Sequence, residues 1–123
     1  MSNKKILVID DEQDLIKALT VRLEAENYEV IAALDGLEGL NLARKERPDI
    51  IILDLMLPKI NGFKVARLLK FDENYKKIPI IILTARAEDE DQLLGKELGV
   101  DMYLTKPFDE DELLKNIAEN ISK

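Results

Sequence analysis

The sequence contains no histidine, no cysteine and no tryptophan. Without cysteine there is no thiol nucleophile and no disulfide framework, and without either residue there is no Cys/His zinc site. Without histidine there is no Ser-His-Asp triad and no phosphohistidine on the chain itself. Its chemistry falls to carboxylates, hydroxyls, amines and a hard cation. Long apolar runs are missing too: Ile78 to Leu83, interrupted by Pro79, is far shorter than the roughly 18 residues a membrane helix requires. Met1 to Lys5 leads into Ile6-Leu7-Val8-Ile9 and then two aspartates, too short and too soon charged for a signal peptide. A cytoplasmic domain is expected, and the sequon Asn120-Ile121-Ser122 is read as chance.

Positive charge is in short supply. Eighteen Lys and Arg against 25 Asp and Glu give a formal charge of -7, which repels a phosphate backbone and argues against direct binding of nucleic acid. What the chain does have is apolar material: 46% of its 123 residues are hydrophobic. That length fits one domain, residues 1–123, and a chain of this size buries over roughly 60% of its unfolded surface without a disulfide or metal staple.

The apolar residues fall into two alternating patterns. Ile6–Ile9, Val30–Ala33, Ile50–Leu53, Ile80–Leu83 and Met102–Leu104 are short continuous runs, as strands buried on both faces require. Between them lie helical stripes: Leu15, Leu19 and Leu23; Leu37, Leu40 and Ala43; Val65, Ala66 and Leu69; Leu94 and Leu98; and Leu113, Leu114, Ile117 and Ile121. Asp35 and Asp109 stand where N-caps are wanted, Gly99 at a C-cap, and Pro48 ends the second helix. Five strand-helix units imply an α/β flavodoxin-like (βα)5 fold, a five-stranded parallel sheet covered by helices on both faces.

In such a sheet, ligands bind outside the carboxyl ends of the strands. Those ends carry Asp10 and Asp11, Asp54, Thr84 and Lys106. Carboxylates about 4 Å apart at an effective dielectric near 20 repel by on the order of 4 kcal/mol per pair, so a cation or a proton must intervene. Three aspartates and one lysine leave a charge of two to be neutralised, and Mg²⁺, which takes oxygen ligands and often shares them with a phosphate, suits that need. The chemistry indicated is phosphoryl transfer with a carboxylate nucleophile.

Four segments carry a resemblance: Ile6-Leu7-Val8-Ile9-Asp10-Asp11-Glu12; Ile52-Leu53-Asp54-Leu55-Met56-Leu57-Pro58 with Asn61-Gly62; Leu83-Thr84-Ala85; and Tyr103-Leu104-Thr105-Lys106-Pro107-Phe108. In this order they resemble the receiver domain of two-component response regulators, over essentially the whole chain. The resemblance implies that Asp54 is the phosphoacceptor, taking its phosphoryl group from a sensor histidine kinase or a histidine phosphotransfer protein. It implies that Asp10, Asp11, Asp54 and the main-chain carbonyl of Met56 hold Mg²⁺. Lys106 would pair with the phosphoryl oxygens, ahead of a cis bond to Pro107, while Thr84 and Tyr103 form the switch pair.

The resemblance also implies an output face on helix 4, strand 5 and helix 5, read by a downstream effector protein or domain. The chain is then a signalling phosphoacceptor that assists its own phosphorylation and dephosphorylation, not an enzyme in the ordinary sense. Met56 and Arg86 occupy the positions that tune dephosphorylation; neither bears an amide or carboxylate to orient water, so slow self-hydrolysis is expected. The alternative is a haloacid dehalogenase-like Mg²⁺-dependent phosphatase, which would place Asp-x-Asp after its first strand, where this chain has Asp10-Asp11-Glu12.

Overall fold

The computed structural model describes residues 3–85 and 88–121. Strands β1 (Lys5–Ile9), β2 (Glu29–Ala33), β3 (Ile50–Leu53), β4 (Ile80–Thr84) and β5 (Met102–Thr105) alternate with helices α1 (Gln13–Ala25), α2 (Gly36–Glu46), α3 (Gly62–Lys70), α4 (Asp89–Leu98) and α5 (Glu110–Ile121). All strand pairings are parallel, in the order β2-β1-β3-β4-β5. This is the flavodoxin-like sheet expected from the alternation.

The period-two alternation of each strand divides the core in two. Leu7, Ile9, Ile51, Leu53, Ile80 and Ile82 face α2, α3 and α4, through residues such as Leu40, Ala43, Val65 and Leu69. Ile6, Val8, Ile50, Ile52, Ile81 and Leu83 face α1 and α5, through Leu19, Leu23, Leu113 and Ile117. An isoleucine-rich strand buried on both faces suits β-branched side chains, which pack well on a pleated surface.

Helix boundaries follow local chemistry. Asp35 Oδ1 accepts from the Glu38 amide at 2.8 Å and caps α2, and that hydrogen bond holds the Asp35 carboxyl below its ordinary range. Asp109 Oδ1 accepts from the amides of Asp111 and Glu112 at the head of α5. Gly99 ends α4 with φ of 86°, the left-handed conformation that glycine adopts without a Cβ penalty.

Two stripe residues point elsewhere than the periodicity suggests. Leu37 and Leu94 are exposed, at 43% and 40%. The inner face of α2 is instead Gly36, Gly39, Leu40 and Ala43, and that of α4 is Asp91, Gly95 and Leu98. Small residues lie where helix and sheet approach most closely, so the largest apolar side chains of those two helices do not mark their inner faces.

Candidate functional site: an acidic pocket at the strand ends

Register brings the acidic residues together. Ile9 pairs with Leu53 across the two central strands, so Asp10 and Asp54 leave the sheet side by side. The ladder continues past the strand ends, where the Asp54 amide donates to the Ile9 carbonyl at 3.0 Å and the Lys106 amide to the Thr84 carbonyl at 2.8 Å. Here the direction of chain winding reverses between β1 and β3, which opens a crevice above the strand ends.

Gly62 shapes the far wall. A Cβ there would collide with the Asp54 carbonyl, and its amide donates to the Leu55 carbonyl at 2.9 Å. Asn61 caps α3 by accepting from the Lys64 amide. The loop after Asp54 is thereby folded back beneath the site.

Asp54 is buried and both of its oxygens are engaged. Oδ1 accepts from the Thr84 hydroxyl at 2.7 Å and from the Met56 amide at 3.1 Å, and Oδ2 faces Lys106 Nζ at 3.2 Å. Lys106 Nζ also donates to Asp10 Oδ2 at 2.8 Å and Glu12 Oε1 at 3.1 Å. One ammonium thus binds three carboxylates, from the residues that follow β1 and β3 and from the N-cap position of α1. The Lys106–Pro107 bond is cis.

The charges do not balance around that lysine. Burial opposes its charge, but the hydrogen bonds it donates to Asp10 and Glu12 and the fields of Asp10 and Asp54 prevail and raise its pKa. Burial pushes the Asp10 carboxyl up, against the lowering effect of Lys106 and of the Glu12 amide, and Asp54 raises it further. Asp10, Glu12 and Asp54 offer oxygens all within 4.8 Å of one another. A net charge near minus two in a set of hard oxygen ligands fits one divalent cation of the Mg²⁺ class.

Of the residues singled out from the sequence, Asp10, Asp54, Thr84 and Lys106 meet in one pocket. Asp11 is exposed and stands outside the carboxylate cluster. The Met56 amide donates to Asp54 while the residue as a whole is 59% exposed. Tyr103 is half-buried beside α4, where a Cβ on Gly95 would lie 3.4 Å from its Cδ2 atom. Arg86 lies outside the described residues. Glu12 is the site residue that the sequence alone does not single out: it occupies the N-cap position of α1, but with no capping bond from its side chain. Its carboxylate goes to Lys106 instead.

Similarity to known proteins agrees with this geometry. Residues 6–118 match the response regulator receiver domain. The alkaline phosphatase synthesis transcriptional regulatory protein PhoP of Bacillus subtilis is 49% identical over 106 residues, covering 86% of this chain and 43% of PhoP. Protein PilH of Pseudomonas aeruginosa is 41% identical over 113 residues, covering 92% of this chain and 93% of PilH. Among solved structures, chemotaxis protein CheY4 of Vibrio cholerae superposes with a TM-score of 0.87 at 34% identity, covering 95% of this chain and 98% of that one.

The chain belongs to the receiver domain family of two-component response regulators. It is a signalling domain, and the haloacid dehalogenase reading finds no support in these similarities. The chain spans about half the length of the transcriptional regulators it matches. No helix among the described residues is long and apolar enough to cross a membrane.

Proposed function

We propose that Asp54 accepts a phosphoryl group from a phosphohistidine on a sensor kinase or phosphotransfer protein, and that the resulting phosphoaspartate repositions Thr84 and Tyr103 to change what the domain binds. The observation that carries this reading is the Asp54 environment. A buried carboxylate with a hydroxyl and an amide on one oxygen and an ammonium on the other is an acceptor set among donors for the phosphoryl oxygens.

In the transfer, a carboxylate oxygen of Asp54 forms the new O–P bond as the N–P bond of the donor breaks. Lys106 moves with the negative charge, from the carboxylates to a phosphoryl oxygen, and the Thr84 hydroxyl donates to another. Asp10, Asp54 and the Met56 carbonyl would hold Mg²⁺, with Asp11 reaching in from outside the cluster and Glu12, whose carboxylate lies within it, as a further oxygen ligand. When bound, Mg²⁺ supplies neutralisation of the charge that builds on the phosphoryl oxygens. Neither Met56 nor Arg86 carries an amide or carboxylate side chain that could orient an attacking water, so the phosphorylated state is long-lived.

The domain works in the cytoplasm as one unit over residues 1–123. Its output is a population shift: effectors bind α4, β5 and α5 better in the conformer that has Thr84 drawn toward the phosphoryl group and Tyr103 turned inward. The test is incubation with Mg²⁺ and acetyl phosphate, read by intact-protein mass, with beryllofluoride as a second probe read by NMR. Wild type gains one phosphoryl mass and Asp54→Asn gains none. Equal modification of both proteins would exclude Asp54 as the acceptor.

A further inference from the structure

Helix α3 has two faces. Val65, Ala66 and Leu69 are buried against the sheet. Lys64, Arg67, Leu68 and Phe71 recur at i, i+3, i+4 and i+7 and share the outer side, Phe71 being the C-cap residue. Phe71 is 66% exposed and Leu68 36%. The chain has only three phenylalanines and no tryptophan, so leaving one of them in water is a feature to explain.

The same region reverses the charge of the protein. Residues 41–77 hold nine Lys and Arg against five Asp and Glu, whereas the remainder holds nine against 20. Among the described residues no carboxylate pairs with Arg44, Lys64 or Arg67, although Lys70 and Lys76 nearby have acidic partners. The Arg67 guanidinium lies 5.8 Å from the centre of the Phe71 ring. Arg67 and Leu68 form the ridge between two grooves. One, of about 400 Å³, runs toward Leu94 and Leu98 of α4; the other, of about 540 Å³, runs toward Arg44 of α2.

We propose that this ridge and its two grooves form a docking surface for an acidic amphipathic helix of a partner protein, with apolar side chains against Leu68 and Phe71 and carboxylates on Arg44, Lys64 and Arg67. Helix-in-groove recognition requires apolar anchors at helical spacing, and charge complementarity selects the acidic partner. A nucleic-acid backbone gains nothing from Leu68 and Phe71, which leaves the apolar part of the ridge without a partner. Two apolar side chains give a bilayer little to bury. The ridge is on the outer side of α3, whereas Asp54 is buried at the end of β3.

The test is a ¹H–¹⁵N NMR titration of the full chain. The probe is a synthetic amphipathic peptide of roughly 14 residues, about four helical turns, with leucines on one face and glutamates on the other. Parallel titrations use the same peptide with lysine for glutamate, a short DNA duplex, and vesicles of mixed phosphatidylcholine and phosphatidylglycerol. Saturable shifts across residues 64–71 with the acidic peptide alone are expected. The Lys64→Glu/Arg67→Glu pair should weaken that binding roughly tenfold, as should Phe71→Ser, with the circular dichroism spectrum of each variant unchanged. The proposal fails if acidic and basic peptides bind alike, if the shifts lie elsewhere, if Phe71→Ser binds as wild type does, or if duplex or vesicles perturb the patch more strongly than the peptide.

Discussion

The Thr84 hydroxyl donates to Asp54 Oδ1 at 2.7 Å, and both residues are buried, at 0% and 5% exposure. This bond ties the end of β4 to the end of β3 inside the acidic pocket. A hydrogen bond to a charged group contributes about 1.5–3 kcal/mol, and removing one partner leaves the other unsatisfied. Thr84→Val keeps the shape and loses the donor, so it is expected to lower unfolding stability by about 2 kcal/mol at neutral pH. Thr84→Ser, which retains the hydroxyl, should recover much of that loss. Urea denaturation of the three proteins checks it; equal midpoints for valine and serine variants would remove the bond from the account.

Gly62 connects backbone sterics to the site. Because a Cβ at this position would meet the Asp54 carbonyl and the Leu55 Cα, neither of which is a flexible side chain, Gly62→Ala must displace the backbone that carries Asp54. The expected result is a loss of about 2 kcal/mol or more in stability, together with slower phosphorylation by acetyl phosphate. A crystal structure of the variant with Asp54 unmoved, or wild-type rates, would contradict it.

The sheet and the pocket were legible in the sequence for a common reason. Where a strand is buried on both faces, its apolar run ends at the water boundary, so Ile9 followed by Asp10 and Leu53 followed by Asp54 mark strand ends directly. What stayed hidden involved either small residues or long separations. In α4 the inner face is Asp91, Gly95 and Leu98, so a search for large apolar residues turns Leu94 inward when it faces out. Glu12 reads locally as a cap because its partner Lys106 is 94 residues away, and only the closing of the sheet brings the two within 3.1 Å.

Lys70 fixes a helix to the sheet far from the pocket. Its side chain is 9% exposed, and its Nζ donates to the Ile78 carbonyl at 2.8 Å and to the Lys76 carbonyl at 3.3 Å, with Asp101 Oδ2 at 3.4 Å. The same Asp101 oxygen accepts from the Ile80 amide at the head of β4. Lys70→Met keeps the aliphatic stem and strips the charge from Asp101 and two carbonyls, at a cost of about 2–3 kcal/mol. Calorimetry on the variant measures this; a change under about 0.5 kcal/mol, the size of an ordinary surface substitution, would show that the ammonium holds nothing together.

Burial raises the Asp10 carboxyl above its ordinary value near 3.8, and this fixes the sign of a pH effect. An acid whose pKa is higher in the folded state binds more protons folded than unfolded as pH rises from that ordinary value. Its contribution to stability therefore falls with increasing pH until the folded-state pKa is passed, and is absent beyond it. In chelator, where Lys106 is the cation shared by Asp10, Glu12 and Asp54, wild type should lose stability over this interval relative to Asp10→Asn. The difference between the two proteins isolates the Asp10 contribution, since oppositely shifted carboxyls such as Asp35 are common to both. Added Mg²⁺ reverses the disadvantage by binding only the folded state, contributing about 2.7 kcal/mol at a hundredfold excess over its dissociation constant. Because Asp10→Asn removes a carboxylate from the site, Mg²⁺ should stabilise it far less, so the two melting curves are expected to exchange order when Mg²⁺ replaces chelator at neutral pH. Curves that shift in parallel would mean that Asp10 takes no part in holding the ion.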